Sequence, residues 1–458
     1  MTILGQWADA LWNPWLLGLF LLTGAIYSAG SGFFQLFALP LWIRSTLGSL
    51  FQKQGRRGGG LSSLQALATA LASTMGTGSI AGVAAALCLG GPGSIFWMWV
   101  SAFLGMMTGC CEKLLAVRYQ VPAPDGGLQG GPMFYLRDGL HAPLLAGWFC
   151  LACLPATLAG GDLIQSSSIA ASLEAAFGTP RPLSGAVTAL LAGLVMVGGV
   201  GRIARVSSAL VPAMALLYLG SGAAVLICRA QALPGALELI FSCALSPAAA
   251  LGGGAGWTVA SALRYGVARG VFTNEAGLGT SAMAHGAAAA EHPARQGMWG
   301  IFEVFLSTLL VCTVTALVIL VSGVWQPGAP GGLTGAPLTA AAFGAVLGPI
   351  GAQIVALSLL LFAFSSILGW SYYGQQCLRY LSGGDRLTCA YRAIFLLCAF
   401  AGAVWEPEVL WQLVDLCNAL MALPNLTALL LLAPQALSVL ARWRAQQSEN
   451  GCKAGPKP

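Results

Sequence analysis

Apolar residues run along this chain in long unbroken blocks, with no period-two alternation, and the blocks set the predicted elements. The first extends from about Trp15 to Trp42. Five more lie near 64–90, 93–117, 143–177, 183–200 and 207–228, and a second five near 258–290, 297–324, 338–380, 388–404 and 408–440. Crossing a bilayer takes roughly 20 apolar residues, so the pattern predicts eleven membrane-spanning helices. Continuous apolar runs also argue against a transmembrane β-barrel. One leading helix followed by five and five suggests an internal repeat. A repeat of odd length must be inverted in the membrane, because its second copy starts on the other side. On this division 15–42 is the leading helix, 62–230 the first inverted repeat, 255–442 the second and 443–458 a cytoplasmic tail, in a single transmembrane domain over 1–458.

Composition removes the soluble alternatives. Of 458 residues 57% are hydrophobic and only 8% charged, against about 25% charged in a soluble chain; the mean hydropathy is +0.78. The net charge of +6 does not signal nucleic acid, because the positive residues follow topology. Seventeen of the 21 Lys and Arg fall on one side: Arg44, Lys53, Arg56, Arg57, Lys113, Arg118, Arg137, Arg202, Arg205, Arg295, Arg379, Arg386, Arg392, Arg442, Arg444, Lys453 and Lys457. The other side holds Arg181 and Arg229, the Gly/Pro-rich stretch 326–337, Glu406 and Glu408, while Arg264 and Arg269 fall within a span. This bias puts the N-terminus outside and the C-terminus in the cytoplasm. The first residues, MTILGQWADALWNPW, carry neither a basic region nor a small-residue cleavage site, so no removable signal peptide is expected. Thirteen Cys lie mostly inside apolar runs without metal spacing, Cys110-Cys111 being the only adjacent pair, and read as packing residues.

Two blocks are interrupted, and they open the two sets of five. The first break is Ser73-Thr-Met-Gly-Thr-Gly-Ser-Ile-Ala-Gly82, the second Thr273-Asn-Glu-Ala-Gly-Leu-Gly-Thr280. Gly and hydroxyl residues at membrane depth weaken a continuous helix, and such backbone survives only where protein or a polar cavity satisfies it. Paired breaks in corresponding spans point to a transporter's midplane site; close packing through Gly78-Ser-Ile-Ala-Gly82 is the plainer reading of the first. A broken helix offers free N–H groups to a carboxylate and free carbonyls to a small cation. A zwitterionic amino acid carried with a cation suits that arrangement. Ser365-Ser366 supplies adjacent hydroxyls of the kind sodium needs, unless each bonds its own helix.

Intramembrane acids are costly and therefore informative: Asp162, Glu275, Glu303 and Asp415. Glu275 sits in the second break as a structural brace, a cation ligand or a proton acceptor. Asp162 precedes Gln165 by three residues, which places both on one helix face. Gln165 then makes either an interhelical hydrogen bond or a ligand contact, and Glu303 and Asp415 read as packing or gating partners. Enzyme chemistry lacks a motif, with only His141, His285 and His292 available. Gly76-Thr-Gly-Ser-Ile-Ala81 matches a dinucleotide fingerprint, but without the strand and soluble βαβ unit that motif requires.

Five blocks in order resemble the alanine or glycine:cation symporters of the amino acid–polyamine–organocation superfamily. They are MGTGSIAGVAAALCLGGPGSIFWMWVSAFLGM (75–106), GGPMFYL (130–136), FTNEAGLGTSAMAHGAA (272–288), FSSILGWSYYGQQC (364–377) and MALPNLTALLLL (421–432), and the likeness spans about Ser31 to Pro434. The resemblance implies an all-α integral membrane protein of the LeuT-type fold, with ten core helices in two inverted repeats behind one extra helix. It further implies uptake of a small neutral amino acid, alanine or glycine, driven by sodium as a coupling ion through alternating access. The setting would be a bacterial inner membrane, among lipids, with no nucleic acid and no obligatory protein partner. Carried over, Thr77, Gly78 and Ser79 would line the substrate's charged end and Gln165 would reach in. Phe272, Thr273, Asn274, Gly277 and Gly279 would supply the second broken helix, and Trp370 would cap the side-chain pocket. Sodium would sit between the carbonyls near Ala72 and Met75 and the hydroxyls of Ser365 and Ser366. Against the family pattern, Ser79 and Ser167 stand where Asn is usual, Asp162 where Asn is usual, Gly109 where Lys is expected and Gln375 where Glu is expected. Ser79 leaves more room and Asp162 adds a potential charge, so a larger substrate such as glutamine, or proton coupling, is a second reading; a channel or a substrate sensor on the same fold is a third.

Overall fold

Long apolar stretches with few Gly or Pro in their interiors form helices, and Gly-Pro and Gly-Gly steps end them. The computed structural model describes residues 3–12, 14–48, 60–123, 126–246, 258–326, 332–405 and 407–453. Lys53, Arg56, Arg57, Glu406 and Lys457 lie outside the described residues. Among the described residues six helices are long and apolar enough to cross a membrane: Gly93–Arg118, Pro143–Phe177, Gly199–Cys228, Pro293–Ser322, Pro349–Ser382 and Leu410–Leu431. Shorter apolar helices accompany them, including Pro14–Gly30, Arg181–Met196 and Thr388–Val404. Among the described residues strand is confined to two-residue pieces, Val121–Pro122 antiparallel to Leu128–Gln129, and an isolated bridge between Leu61 and Ala288.

Several boundaries differ from the apolar blocks. The leading block is helical as Pro14–Gly30, then turns through left-handed Gly32 and Phe33 into the short helices Phe34–Phe37 and Leu39–Ser45. The block 338–380 is two helices, Gly335–Leu347 and Pro349–Ser382, because Gly348 at φ 68° precedes a Pro that cannot continue a helix inward. The block 408–440 divides at Leu432 into Pro407–Leu431 and Ala433–Lys453. The second of these runs on through the expected tail and buries Trp443. Leu233–Leu245 is a further helix, and the backbone of Cys243 lies where a side chain on Gly93 would stand.

Gly93–Arg118 is the central helix. Val259–Asn274 and Pro293–Val304 pack against it through glycines: a Cβ on Gly266 would meet the Ser94 carbonyl at 2.3 Å, and one on Gly300 the Gly109 carbonyl at 2.5 Å. Apolar burial gains little inside lipid, so such close backbone approach is what holds membrane helices together. Lys113 lies within this packing. It is fully buried and paired with Glu303 at 3.2 Å, so it is no loop charge and drops out of the orientation bias.

The two interrupted helices begin alike, each with a reciprocal cap. Ser62 and Gln65 exchange side-chain and backbone bonds, as do Thr258 and Ser261. Pro143–Phe177 contains Pro155, and four residues later a wide turn spans Ala159–Leu163. That turn alters the register the sequence suggested. Gln165 reaches the first break, whereas Asp162 lies within electrostatic range of Tyr391 and Cys398 on Thr388–Val404.

Candidate functional site

At the first break the helix Ser63–Thr74 ends, a single tight turn covers Thr77–Ser79, and a helix resumes at Ala81–Gly90. Extended Gly76 (φ −103°, ψ −153°) separates the first two. The freed groups meet neutral partners. Thr77 donates its backbone N–H to Gln165 Oε1 at 3.1 Å, and Gln165 Nε2 is anchored on the Gly160 carbonyl at 2.9 Å. Ser365 and Ser366 each donate to the Ala72 carbonyl at 3.0 Å, and Ser366 also lies 3.0 Å from the Ser73 carbonyl. Beyond the turn, Thr315 donates to the Ser79 carbonyl at 2.8 Å. Thr77 Oγ1 and Ser79 Oγ are buried without a hydrogen bond among the described residues, the Cys312 thiol being a neighbour of Ser79.

Two glycines make this convergence possible. A Cβ on Gly76 would stand 2.4 Å from Ser366 Oγ, and one on Gly78 would stand 2.8 Å from the Phe272 ring and 3.0 Å from Thr273 Oγ1. Four uncharged oxygens therefore gather at one edge of the turn: two hydroxyls and the carbonyls of Ala72 and Ser73. Hard oxygen donors in a water-poor setting suit an alkali or other hard cation. At the other edge a backbone N–H and two spare hydroxyls suit a carboxylate and an ammonium. Trp370 is buried against Gly161 and meets Tyr373 edge-on at 5.9 Å.

The second break is held by buried side chains that bond across it. Glu275 adopts a left-handed backbone (φ 55°), as do Gly277 (φ 89°) and Gly279 (φ 88°). Glu275 Oε2 accepts from Thr280 Oγ1 at 2.5 Å, and Asn274 Oδ1 accepts the Ala276 N–H at 3.0 Å. The Gly277 carbonyl accepts from Asn425 Nδ2 at 2.9 Å; the same amide donates to Glu112 Oε1 at 2.6 Å, and Tyr135 donates to Asn425 Oδ1. Side chains at 277 and 279 would strike Phe20 and Pro132 respectively. The structure thus brings Thr77, Gly78, Ser79, Gln165, Phe272 and Thr273 around the first break and places Gly277 and Gly279 elsewhere. Met75 ends the first helix, and the carbonyls that the serines reach are those of Ala72 and Ser73.

Charged clusters flank the two breaks. Arg269 makes a two-pronged pair with Asp415 at 2.9 and 2.8 Å, and its guanidinium lies 4.5 Å from the Trp411 ring centre. Trp411 in turn meets Phe272 edge-on at 5.1 Å, so an aromatic and an ion pair cover the helix that leaves the first break. The other cluster joins Lys113, Glu303 and His285. Asp162 is fully buried, with neither carboxyl oxygen hydrogen-bonded among the described residues. Sequence reasoning reached Asp415 and Glu303 but missed Glu112, Asn425 and Thr315. Glu112 and Lys113 were legible as adjacent charges inside the apolar run 93–117, yet the lysine was counted with the loop charges. Asn425 carried a fainter signal, an amide directly after Pro424 in an otherwise mostly apolar run.

The chain matches the sodium:alanine symporter family over residues 1–455. A sodium/alanine symporter, AgcS, of Methanococcus maripaludis is 41% identical over 429 residues, covering 92% of each chain. A probable sodium/glutamine symporter, GlnT, of Bacillus subtilis is 34% identical over 462 residues, covering 100% of this chain and 92% of its own. Among solved structures, a manganese transporter of Eremococcus coleocola superposes with a TM-score of 0.53 at 17% identity, over 83% of this chain and 78% of that one. The last is a likeness of fold alone.

Proposed function

This multi-pass membrane protein belongs to the sodium:alanine symporter family, and from that premise we propose that it imports a small neutral amino acid, alanine or glycine, with sodium. The fold on this reading is the LeuT-type 5+5 inverted repeat behind the leading helix, working by alternating access with the N-terminus outside. The carrying observation is the pair of half-sites at the first break. The Ala72 and Ser73 carbonyls with Ser365 and Ser366 would take the sodium ion, and Thr77, Gly78 and Ser79 would take the amino acid's charged end. Bound substrate would replace Gln165 on the Thr77 N–H, so the amide serves as a stand-in acceptor while the site is empty. Phe272 and Thr273 would form one wall and Trp370, packed on Gly161, would limit side-chain size. Asn274, Glu275, Gly277 and Gly279 shape the second break from behind.

The Arg269–Asp415 pair with Trp411 acts on this reading as the closed gate over the site. Opening it breaks a largely buried pair, which asks for compensation from bound sodium and substrate. A second reading has a specific basis: Ser79 is smaller than an Asn carboxamide and its hydroxyl is spare, which leaves room for a side chain such as that of glutamine. The test is uptake of labelled alanine, glycine and glutamine into proteoliposomes under an inward sodium gradient or, separately, a proton gradient. Sodium-dependent accumulation competed only by small neutral amino acids carries the first reading; accumulation of glutamine instead carries the second. No accumulation under either gradient overturns both.

A further inference from the structure

The half-helix after the second break, Thr280–Gly286, ends on a histidine that the transport reading leaves without a task. His285 is fully buried between two side chains of Pro293–Val304. Gln296 Nε2 lies 2.7 Å from His285 Nδ1, and Glu303 Oε2 lies 3.3 Å from His285 Nε2. An amide NH2 can only donate, so in this arrangement Nδ1 is the acceptor and the ring is neutral with its hydrogen on Nε2, aimed at Glu303. Gln296 Oε1 is then buried without a partner, and so is Glu303 Oε1, among the described residues.

The surroundings matter too. Glu112, Glu275 and Glu303 are buried carboxyls, and among the described residues Lys113 is the buried ammonium within electrostatic range of them. Lys113 and His285 share one oxygen of Glu303, at 3.2 and 3.3 Å. The other titratable groups facing the cluster are phenols and thiols. Tyr135 reaches Glu112 through Asn425, Tyr373 lies within range of Glu275 and Glu303, and Cys377 stands 3.9 Å from Met283 on the half-helix itself. None of these adds positive charge. The histidine of this cluster has a neighbour able to accept a second hydrogen.

We propose that His285 is a proton-binding site, read by a 180° flip of the Gln296 amide, that clamps the Thr280–Gly286 half-helix to Glu303 when occupied. In the neutral state Gln296 donates to Nδ1. When a proton binds Nδ1, the amide turns its Oε1 to accept it, its NH2 takes the place the oxygen held, and the imidazolium donates to both neighbours. No heavy atom needs to move further than the amide rotation. The half-helix is joined to the rest of its span through three left-handed residues, Glu275, Gly277 and Gly279. A charged His285 on Glu303 therefore restrains the element whose tilt would open the second side of the site. The coupling to transport rests on the reading above; the proton site does not.

The test has two arms on the full chain in lipid nanodiscs or proteoliposomes. With 15N-labelled histidine, the signal that disappears in His285→Gln is followed from about pH 5 to about pH 9. Conversion of an Nε2-protonated neutral ring to imidazolium, with proton affinity lowered about tenfold in Gln296→Leu, is expected; a neutral ring throughout overturns the site. In the second arm sodium-driven uptake falls with acid pH in the wild type, and His285→Gln, whose amide donates to Glu303 without titrating, removes that fall. An acid limb that persists in His285→Gln overturns the clamp. If no uptake of any substrate occurs the transport reading fails, while the titration still decides the proton site.

Discussion

At the first break the freed backbone meets an amide and hydroxyls; at the second it meets Glu275, Asn425 and, behind that amide, Glu112. The difference follows from what each break has to do. Neutral hydrogen bonds are worth only about 0.5–1.5 kcal/mol net each, so a ligand can displace Gln165 or take up the serine hydroxyls at little cost. Buried carboxyls with fixed partners cost far more to disturb, and they hold a strained turn in shape. The first break is suited to exchange its partners and the second to keep them.

The largest effect tests the charged cluster that flanks the second break. Lys113→Met leaves Glu303 facing only His285, and loss of one partner of a buried pair typically costs about 3–5 kcal/mol. We expect a large fall in the thermal unfolding temperature in detergent and little folded protein. Position 109 offers a rescue. A Cβ there would stand 3.4 Å from Lys113 Nζ, at ordinary contact distance, one helical turn away on the same face. Lys113→Met combined with Gly109→Lys, which returns the lysine to the position where the family resemblance expects it, should recover most of the lost stability. Equal instability of the single and double variants would show that the site needs its lysine at 113 and no other place.

Next comes the neutral side. Ser366→Ala removes an oxygen that stands 3.0 Å from two carbonyls, and a contact to a charged ligand is worth about 1.5–3 kcal/mol, or roughly ten- to a hundredfold. The sodium concentration for half-maximal uptake should rise by that factor while the fold is kept. Unchanged sodium dependence would move the ion away from the serines. Gly277→Ala sets the contrast: its left-handed φ of 89° and the Phe20 ring 2.8 Å from the new Cβ predict about 1–3 kcal/mol of lost stability, read by thermal unfolding. Sodium affinity in the folded fraction should stay the same, and a shift there would mean the two breaks are not divided in the way proposed.

Much of this plan was legible in the chain, and the failures have local causes. Both breaks announced themselves as Gly and hydroxyl runs at membrane depth, and Ser365-Ser366 stood out because adjacent hydroxyls are costly there. Gly348-Pro349 was equally visible, yet a count of apolar residues passes over it. Lys113 was misplaced because burial of a charge by a partner 190 positions away leaves no mark on hydropathy. Gly277 and Gly279 lay in a motif the sequence showed, but that Phe20 and Pro132 fill the space beside them is visible only in the third dimension. Asp162 and Gln165 fell on one face by ordinary helical spacing, and the wide turn at Ala159–Leu163 separates them.

That wide turn sharpens the last contrast. Asp162 belongs to the helix that sends Gln165 to the neutral break, yet it is an acid, fully buried, with both oxygens unpartnered among the described residues. The ionisable side chains in its range, Tyr391 and Cys398, are neutral, so nothing there offsets an ionised carboxylate in a buried setting. If the first side of the molecule takes any proton during transport, this carboxyl is where geometry allows it. Asp162→Asn keeps the volume and removes the titration. Uptake should persist near its wild-type maximum, because the Asp162 carboxyl hydrogen-bonds none of the described residues proposed to hold sodium or substrate, while the pH dependence of uptake under a sodium gradient changes shape. A superimposable pH profile would make Asp162 a buried polar residue with no part in coupling.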